Sequence, residues 1–577
     1  MVQATVNKKA EPLSYEDAMV SIEQALHNDP NLVAAWVDKA KLLQLAGKYN
    51  ESLGALDAAL AVDPKNYHAM TVRSGTLCVL KRLTEGLAAA GEAIRINPNA
   101  KEAHLNRGAA LMGLNRCEDA IIAYEYALKI KPDWDLPLQN YGAALHAVGK
   151  HEEAMRIYRR LSLRNPKDTT THSTMIVIMD YIESGGFRSH CRERRKYAEQ
   201  FKPTSGPVPE TLTPWKLRIG YVSSDFRNHS AASCFMPVIV RHNREQFEVY
   251  LYHNYRTMDE WSLAFKNHAD KWTDISRIHD NTDVYNTILG DKIDILVDLS
   301  GHTAGNRLPV FALKPAPIQV SAWGHAGGTG LPQVDYLFSD PVFIPEDVRK
   351  NFAEKLIDLP CVITFQPPDG TPEIEPSPFE KNGYITFGCF NRYSKIMPEV
   401  EKLWSRILKA VPESRLMIKA GAFDDEKFKA KVAETWKKLG IEPERLILLG
   451  QSSRGDHMKA TSQTDIVLDP FPLSGGITTL EALWMGVPVV TKLGCSFTGR
   501  TTAAIMSAVG MADWVGINSE EYLRIAVKKA SDTESLALFR KNSRSILLGS
   551  EAFNPEKYTQ IVENRYRDMW SEYVRQH

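Results

Sequence analysis

Five prolines set the frame for this chain: Pro30, Pro64, Pro98, Pro132 and Pro166 stand 34 residues apart. Each follows an apolar-periodic run and a polar residue, in HNDP, AVDP, RINP, KIKP and LRNP. Proline cannot extend a helix that precedes it, so its recurrence fixes where each new helical pair begins. Small residues recur in step. Gly108, Ala120, Tyr124 and Ala127 precede Pro132 at the offsets that Gly142, Ala154 and Tyr158 hold before Pro166, and Trp36, Ala40, Gly47 and Ala59 fill matching places before Pro64. Small side chains at fixed offsets let paired helices approach closely, and stacked pairs of this period form an α-solenoid.

The period and its residues are similar to tetratricopeptide repeats. That likeness implies a right-handed superhelix whose concave face suits an extended peptide or a partner helix, so acceptor proteins or peptides are the expected partners of this region. The array is expected over residues 1–201, with 169–205 still helical but out of register and capping it. KPTSGPVPETLTPW, dense in Pro, Ser, Thr and Gly, then reads as a linker at 202–215.

From Leu217 the pattern changes to strands alternating with helices. LRIGYVS, FEVYLYH, IDILVDLS and IQVSAW are short β-branched or aromatic runs; after the turn-rich 366–383 come YITFGCF, SRLMIKA, RLILLG, DIVLDP and PVVT. This alternation predicts two α/β lobes with mostly parallel, doubly wound sheets, at 216–375 and 376–550. The final stretch, 551–577, is an amphipathic helix with Tyr558, Ile561, Tyr566 and Trp570 on or near one face, expected to pack back on the catalytic region. Ligands of open α/β sheets sit beyond the carboxyl ends of the strands, so those loops carry the chemistry.

Composition narrows the function classes. Lys+Arg and Asp+Glu are both 70, and such a balance argues against a general nucleic-acid binder. No run approaches 18 apolar residues and the first residues lack a signal-peptide core, so no membrane association and a cytoplasmic location are expected. The seven cysteines are scattered, with no C-x-x-C, and no HExxH or Cys/His cluster points to a metal.

Three loops stand out. DPFPLSGGITTLEALWMGVPVV runs from a strand through Ser474-Gly475-Gly476 into a helix opening with Thr478, Thr479 and Glu481. Free amides at a helix start favour an anion such as a diphosphate, and Glu481 is placed to accept from ribose hydroxyls. An ordinary N-capped helix is the plainer alternative. CFNRYSKI places Arg392 and Lys395 at a strand's carboxyl end, where an oxygen-rich leaving group would be held. In the first lobe, YVSSDFRNHSAASC sets His229 between strand and helix, while LSGHTAGNRL and AWGHAGGTGL set His302, Gly324 and His325 among glycines, on the sugar or acceptor side. Asp424, Asp425 and Glu426 read as the acidic, capped start of a helix rather than a metal site.

Taken together, LRIGYVSSDFRNHS, PAPIQVSAWGHAGGTGLPQVDY, FGCFNRYSKI and DHMKATSQTDIVLDPFPLSGGITTLEALWMGVPVVT, fused to tetratricopeptide repeats, resemble the protein O-linked N-acetylglucosamine transferase family. The resemblance implies a GT-B catalytic region and no cofactor. The co-substrate it implies is UDP-N-acetylglucosamine (UDP-GlcNAc), with metal-independent, inverting transfer to Ser or Thr. By the same resemblance Lys395 holds the donor diphosphate beside Arg392, His457 packs on the base, Arg454 and Glu481 serve the ribose, His229 faces the acceptor as a catalytic histidine, and Gly324 borders the sugar. Gly475, Gly476, Thr478 and Thr479 supply donor contacts. Two features depart from the usual pattern. The turn reads Ser474-Gly475-Gly476-Ile477 rather than Asn-Gly-Gly-Thr, and TLEALWMGVP is similar to the Spindly-type branch, which implies GDP-fucose as the alternative donor. A repeat scaffold with a relic nucleotide-binding region is the reading from another class.

Overall fold

The computed structural model describes residues 14–183, 185–209, 211–367 and 370–577. The chain start read for a leader lies mostly outside them. Two compact units are formed, Met1–Val148 and Gly149–His577.

Among the described residues the first unit holds eight helices: α1 (Tyr15–Asn28), α2 (Val33–Leu45), α3 (Tyr49–Val62), α4 (Tyr67–Val79), α5 (Leu83–Ile96), α6 (Lys101–Gly113), α7 (Cys117–Ile130) and α8 (Asp135–Ala147). The hairpins are α2 with α3, α4 with α5 and α6 with α7. The recurring small residues sit where the helices touch: Ala40, Ala59, Ala120 and Ala127 are fully buried. Gly108 is required by Tyr124, since a methyl group there would stand 2.3 Å from its ring. Each hairpin turns on one residue in the left-handed region, Gly47 in the first period and then Lys81 and Asn115.

The second unit opens with α9 (His151–Arg164), α10 (Thr169–Met179) and α11 (Gly186–Ala198). The expected boundary at 201 is therefore moved, because these three helices belong with the lobes. The reason is polar. Ser173 of α10 bonds the His302 ring at 3.1 Å, and buried Arg194 of α11 donates to the Gly328 carbonyl at 2.9 Å.

The first lobe is a seven-stranded parallel sheet: β1 (Leu217–Ser223), β2 (Phe247–His253), β3 (Lys271–Asp274), β4 (Ile295–Asp298), β5 (Ile318–Ser321), β6 (Tyr336–Ser339) and β7 (Lys355–Asp358), ordered β3-β2-β1-β4-β5-β6-β7. The second has six: β8 (Thr386–Cys389), β9 (Arg415–Lys419), β10 (Leu446–Leu449), β11 (Ile466–Leu468), β12 (Val489–Lys492) and β13 (Val515–Gly516), ordered β10-β9-β8-β11-β12-β13. Strand order reverses beside β1 and β8, which is where such sheets open a crevice for ligands. The strands β3, β6, β7 and β13 were not expected; three of them are edge strands of two to four residues, too short and too exposed to show alternation.

The helix Pro555–Gln576 lies against the first lobe although it follows the second. Tyr566 meets the Tyr221 hydroxyl at 3.1 Å, Glu563 accepts from the Asn243 amide at 2.7 Å, and the Tyr558 hydroxyl donates to the Cys361 carbonyl at 2.9 Å. Among the described residues no helix is long and apolar enough to cross a membrane.

Candidate active site

A cavity of about 360 Å³ lies between the lobes, lined from the first by His229, Trp323, Gly324 and His325 and from the second by Asn391, Arg392, Lys395, Ser474, Gly475, Gly476 and Thr478. Loops 200 residues apart in the chain thus meet where both sheets present their carboxyl ends.

Lys395 ends a short 3-10 turn, Tyr393–Lys395, directly after β8. Its ammonium donates to the Ser474 carbonyl at 2.8 Å and to the Asn391 side chain at 3.0 Å, so the lysine is tied to the glycine turn. Burial lowers its pKa to about 8, against the opposing pull of Asp469. Asp469, at the end of β11, is itself pushed up to about 6 by burial. It accepts from the Gly475 amide and from the Thr491 hydroxyl, each at 2.7 Å, and so sets the shape of the turn. The helix Ile477–Trp484 then begins at Gly476 with no side chain capping its first amides, and its start faces the cavity. An uncapped helix start beside a buried ammonium is a receptacle for an anion.

A second cluster adjoins it. Arg454 pairs with Glu481 at 2.9 Å and reaches the Ser233 hydroxyl of the other lobe at 3.4 Å. His457 stands edge-on to Phe390 at 5.5 Å, and burial, helped by Lys419 and Arg454, lowers its pKa to about 4. Its ring is therefore neutral at pH 7. Glu481 is buried, which raises its pKa, and Arg454 opposes the shift.

On the first lobe, burial lowers the pKa of His229, while Asp225, 3.5 Å from Nδ1, opposes the shift. The Ala231 amide donates to that same Nδ1 at 3.3 Å. Gly324 has no room for a side chain: a methyl group would lie 1.7 Å from the Leu299 carbonyl. His325 is held by Asp180, which accepts from its Nε2 at 2.8 Å.

Two residues expected in the site lie off the crevice. His302 is buried between the Ser173 hydroxyl and the Thr329 carbonyl and borders a different cavity, because α10 packs over its loop. Thr479 is turned inward, 3.0 Å from the Thr502 hydroxyl. Conversely, Asp180, Tyr181, Asn391 and Asp469 are at the site without having been singled out. Asp469 carried a usable signal, an acid at a strand's carboxyl end; Asp180 and Tyr181 come from the capping segment, where nothing local points to the crevice. The acidic start at 424–426 is a capped helix, with Asp425 accepting from the Lys427 amide.

The model of glycosyl transferase family 41 matches residues 196–365 and 380–562, both lobes nearly entire. The chain belongs to that family. Among its relatives, the SPINDLY protein of Arabidopsis thaliana, described as a probable UDP-N-acetylglucosamine–peptide N-acetylglucosaminyltransferase, is 36% identical over 365 residues, covering 62% of this chain and 40% of its own length. The SEC protein of the same plant, similarly described, is 32% identical over 383 residues, or 64% of this chain and 38% of its own. This chain thus spans less than half the length of these relatives. A lysine-to-methionine variant of the O-GlcNAc transferase of Thermobaculum terrenum has the same fold, with a TM-score of 0.73 and 29% identity over 94% of this chain and 98% of that one. The family match begins within α11 and runs into the last helix, so every crevice residue named above except Asp180 and Tyr181 falls inside it.

Proposed function

We propose that this protein is an inverting glycosyltransferase that moves N-acetylglucosamine from UDP-GlcNAc to Ser or Thr hydroxyls of proteins, without a metal ion. The observation that carries the reading is the convergence of the Lys395 ammonium and the uncapped helix start at Gly476 on one crevice, opposite His229. The printed descriptions of both plant relatives, and of the bacterial enzyme, supply the sugar.

In this reading the acceptor oxygen attacks the anomeric carbon from the face opposite the diphosphate. The bond from that carbon to the diphosphate oxygen breaks, and its electron pair leaves on the nucleoside diphosphate. Lys395, Arg392 and the helix amides stabilise that charge, a preorganised electrostatic role. Arg454, His457 and Glu481 hold the nucleoside. The hydroxyl proton passes to His229 or to a phosphate oxygen of the donor. The Ala231 amide on Nδ1 favours the tautomer with its proton on Nε2, which makes His229 a hydrogen-bond donor and the phosphate the acceptor of the proton. A fall in kcat of about 10²–10⁴ for His229→Ala would assign the proton to the histidine instead; a loss confined to acceptor KM supports the phosphate.

Lys395→Met is expected to lower turnover by about 10²–10³ while the protein stays folded. Near-normal turnover removes the reading. GDP-fucose is the second reading, favoured by the resemblance of TLEALWMGVP to the Spindly-type branch. Thermal shift with UDP against GDP separates the two, since a cognate nucleotide at a hundredfold its Kd stabilises by about 2.7 kcal/mol.

A further inference from the structure

The turn that bears Arg392 and Lys395 is gripped from outside both sheets. His151, the first residue of α9, sets its Nε2 2.7 Å from the carbonyl oxygen of Ser394, the residue before Lys395. Burial keeps this imidazole neutral by lowering its pKa, so Nε2–H donates to the carbonyl. Tyr181, just beyond α10, packs its ring on His151 with centroids 4.6 Å apart, and its hydroxyl meets the Arg392 guanidinium. Tyr181 also lines the crevice itself. The turn's other anchor is Tyr393, whose hydroxyl donates to Glu401. That contact holds the base of the turn and leaves the two cations to be set by their neighbours.

We propose that His151 and Tyr181 are positioning residues, which fix the Arg392–Lys395 turn where both cations face the departing diphosphate. The proposal rests on the role given to Lys395 above. Its physical content is preorganisation. A cation contributes to leaving-group departure in proportion to how well it is already aimed, and a misplacement of about 1 Å is enough to cost up to 10²-fold. A Ser394 carbonyl left without its donor rotates to find another, and the backbone carries Lys395 with it.

The test compares His151→Leu, His151→Gln, Tyr181→Phe and Lys395→Met, measuring UDP and GDP affinity by calorimetry together with kcat, donor KM and Tm. Glutamine retains an N–H able to reach the carbonyl, whereas leucine does not. His151→Leu is expected to lower nucleotide affinity and kcat by about tenfold, and His151→Gln to recover most of that loss. Tyr181→Phe, which keeps the ring and loses only the hydroxyl, is expected to bind nucleotide several-fold more weakly at unchanged Tm. Equal behaviour of the leucine and glutamine variants, or wild-type affinity in Tyr181→Phe, overturns the proposal; if the leucine variant does not fold, Tyr181→Phe alone decides. Loss in Lys395→Met without loss in these variants sinks only the positioning role. An unaffected Lys395→Met sinks the reading of the crevice itself.

Discussion

At the scale of single residues, Lys395 gives the plainest pH prediction. Burial has lowered its pKa to about 8, so the ammonium is present below that value and lost above it. The kcat/KM for donor is therefore expected to fall as pH rises through about 8, by up to tenfold per unit. A profile flat from pH 7 to 10 would contradict the assignment. Gly324 gives a stability prediction. Gly324→Ala forces a methyl group onto the Leu299 carbonyl, and a loss of about 1–3 kcal/mol is expected in denaturant unfolding. Residue-level chemistry was partly legible in the chain. Lys395, Arg392, Gly475 and His229 announce themselves because each sits in a loop just beyond a strand. His302 sits in an equally suggestive loop, yet the structure seals it, since the helix that covers it comes from a segment 129 residues earlier. Local reading sees the loop and not its cover.

Among elements, the strand–turn–helix from β11 to Trp484 carries the most. Asp469 holds the Gly475 amide and the Thr491 hydroxyl in a buried setting beside Lys395. Asp469→Ala strands both donors and leaves the lysine without its facing charge, so a loss of about 3 kcal/mol is expected, along with weaker nucleotide binding. Unchanged Tm in that variant would show that the turn holds its shape unaided. The array was legible as an element because its period repeats often enough to average out local ambiguity. The edge strands β3, β7 and β13 were not, because a strand paired on one side needs neither length nor alternation. The end of the array was misplaced for a related reason. Helical periodicity continues through α9, α10 and α11, while their packing partners change from neighbouring repeats to a lobe, and periodicity does not record the partner.

For the molecule as a whole, the last helix ties the end of the chain to the first lobe through Tyr558, Glu563 and Tyr566, all buried. Ending the chain at residue 554 would expose the apolar surface beneath those side chains. Aggregation or a fall in Tm by many degrees is the expected outcome in a thermal melt, and a soluble product of unchanged Tm would contradict it. The polypeptide therefore passes from one lobe to the other and comes back, so the halves are interlocked by sequence order as well as by contact. Cut at the first passage and produced as separate fragments, 149–375 and 376–577 should find each other in the manner of a split reporter, because the later fragment brings with it a piece of the earlier one's interior.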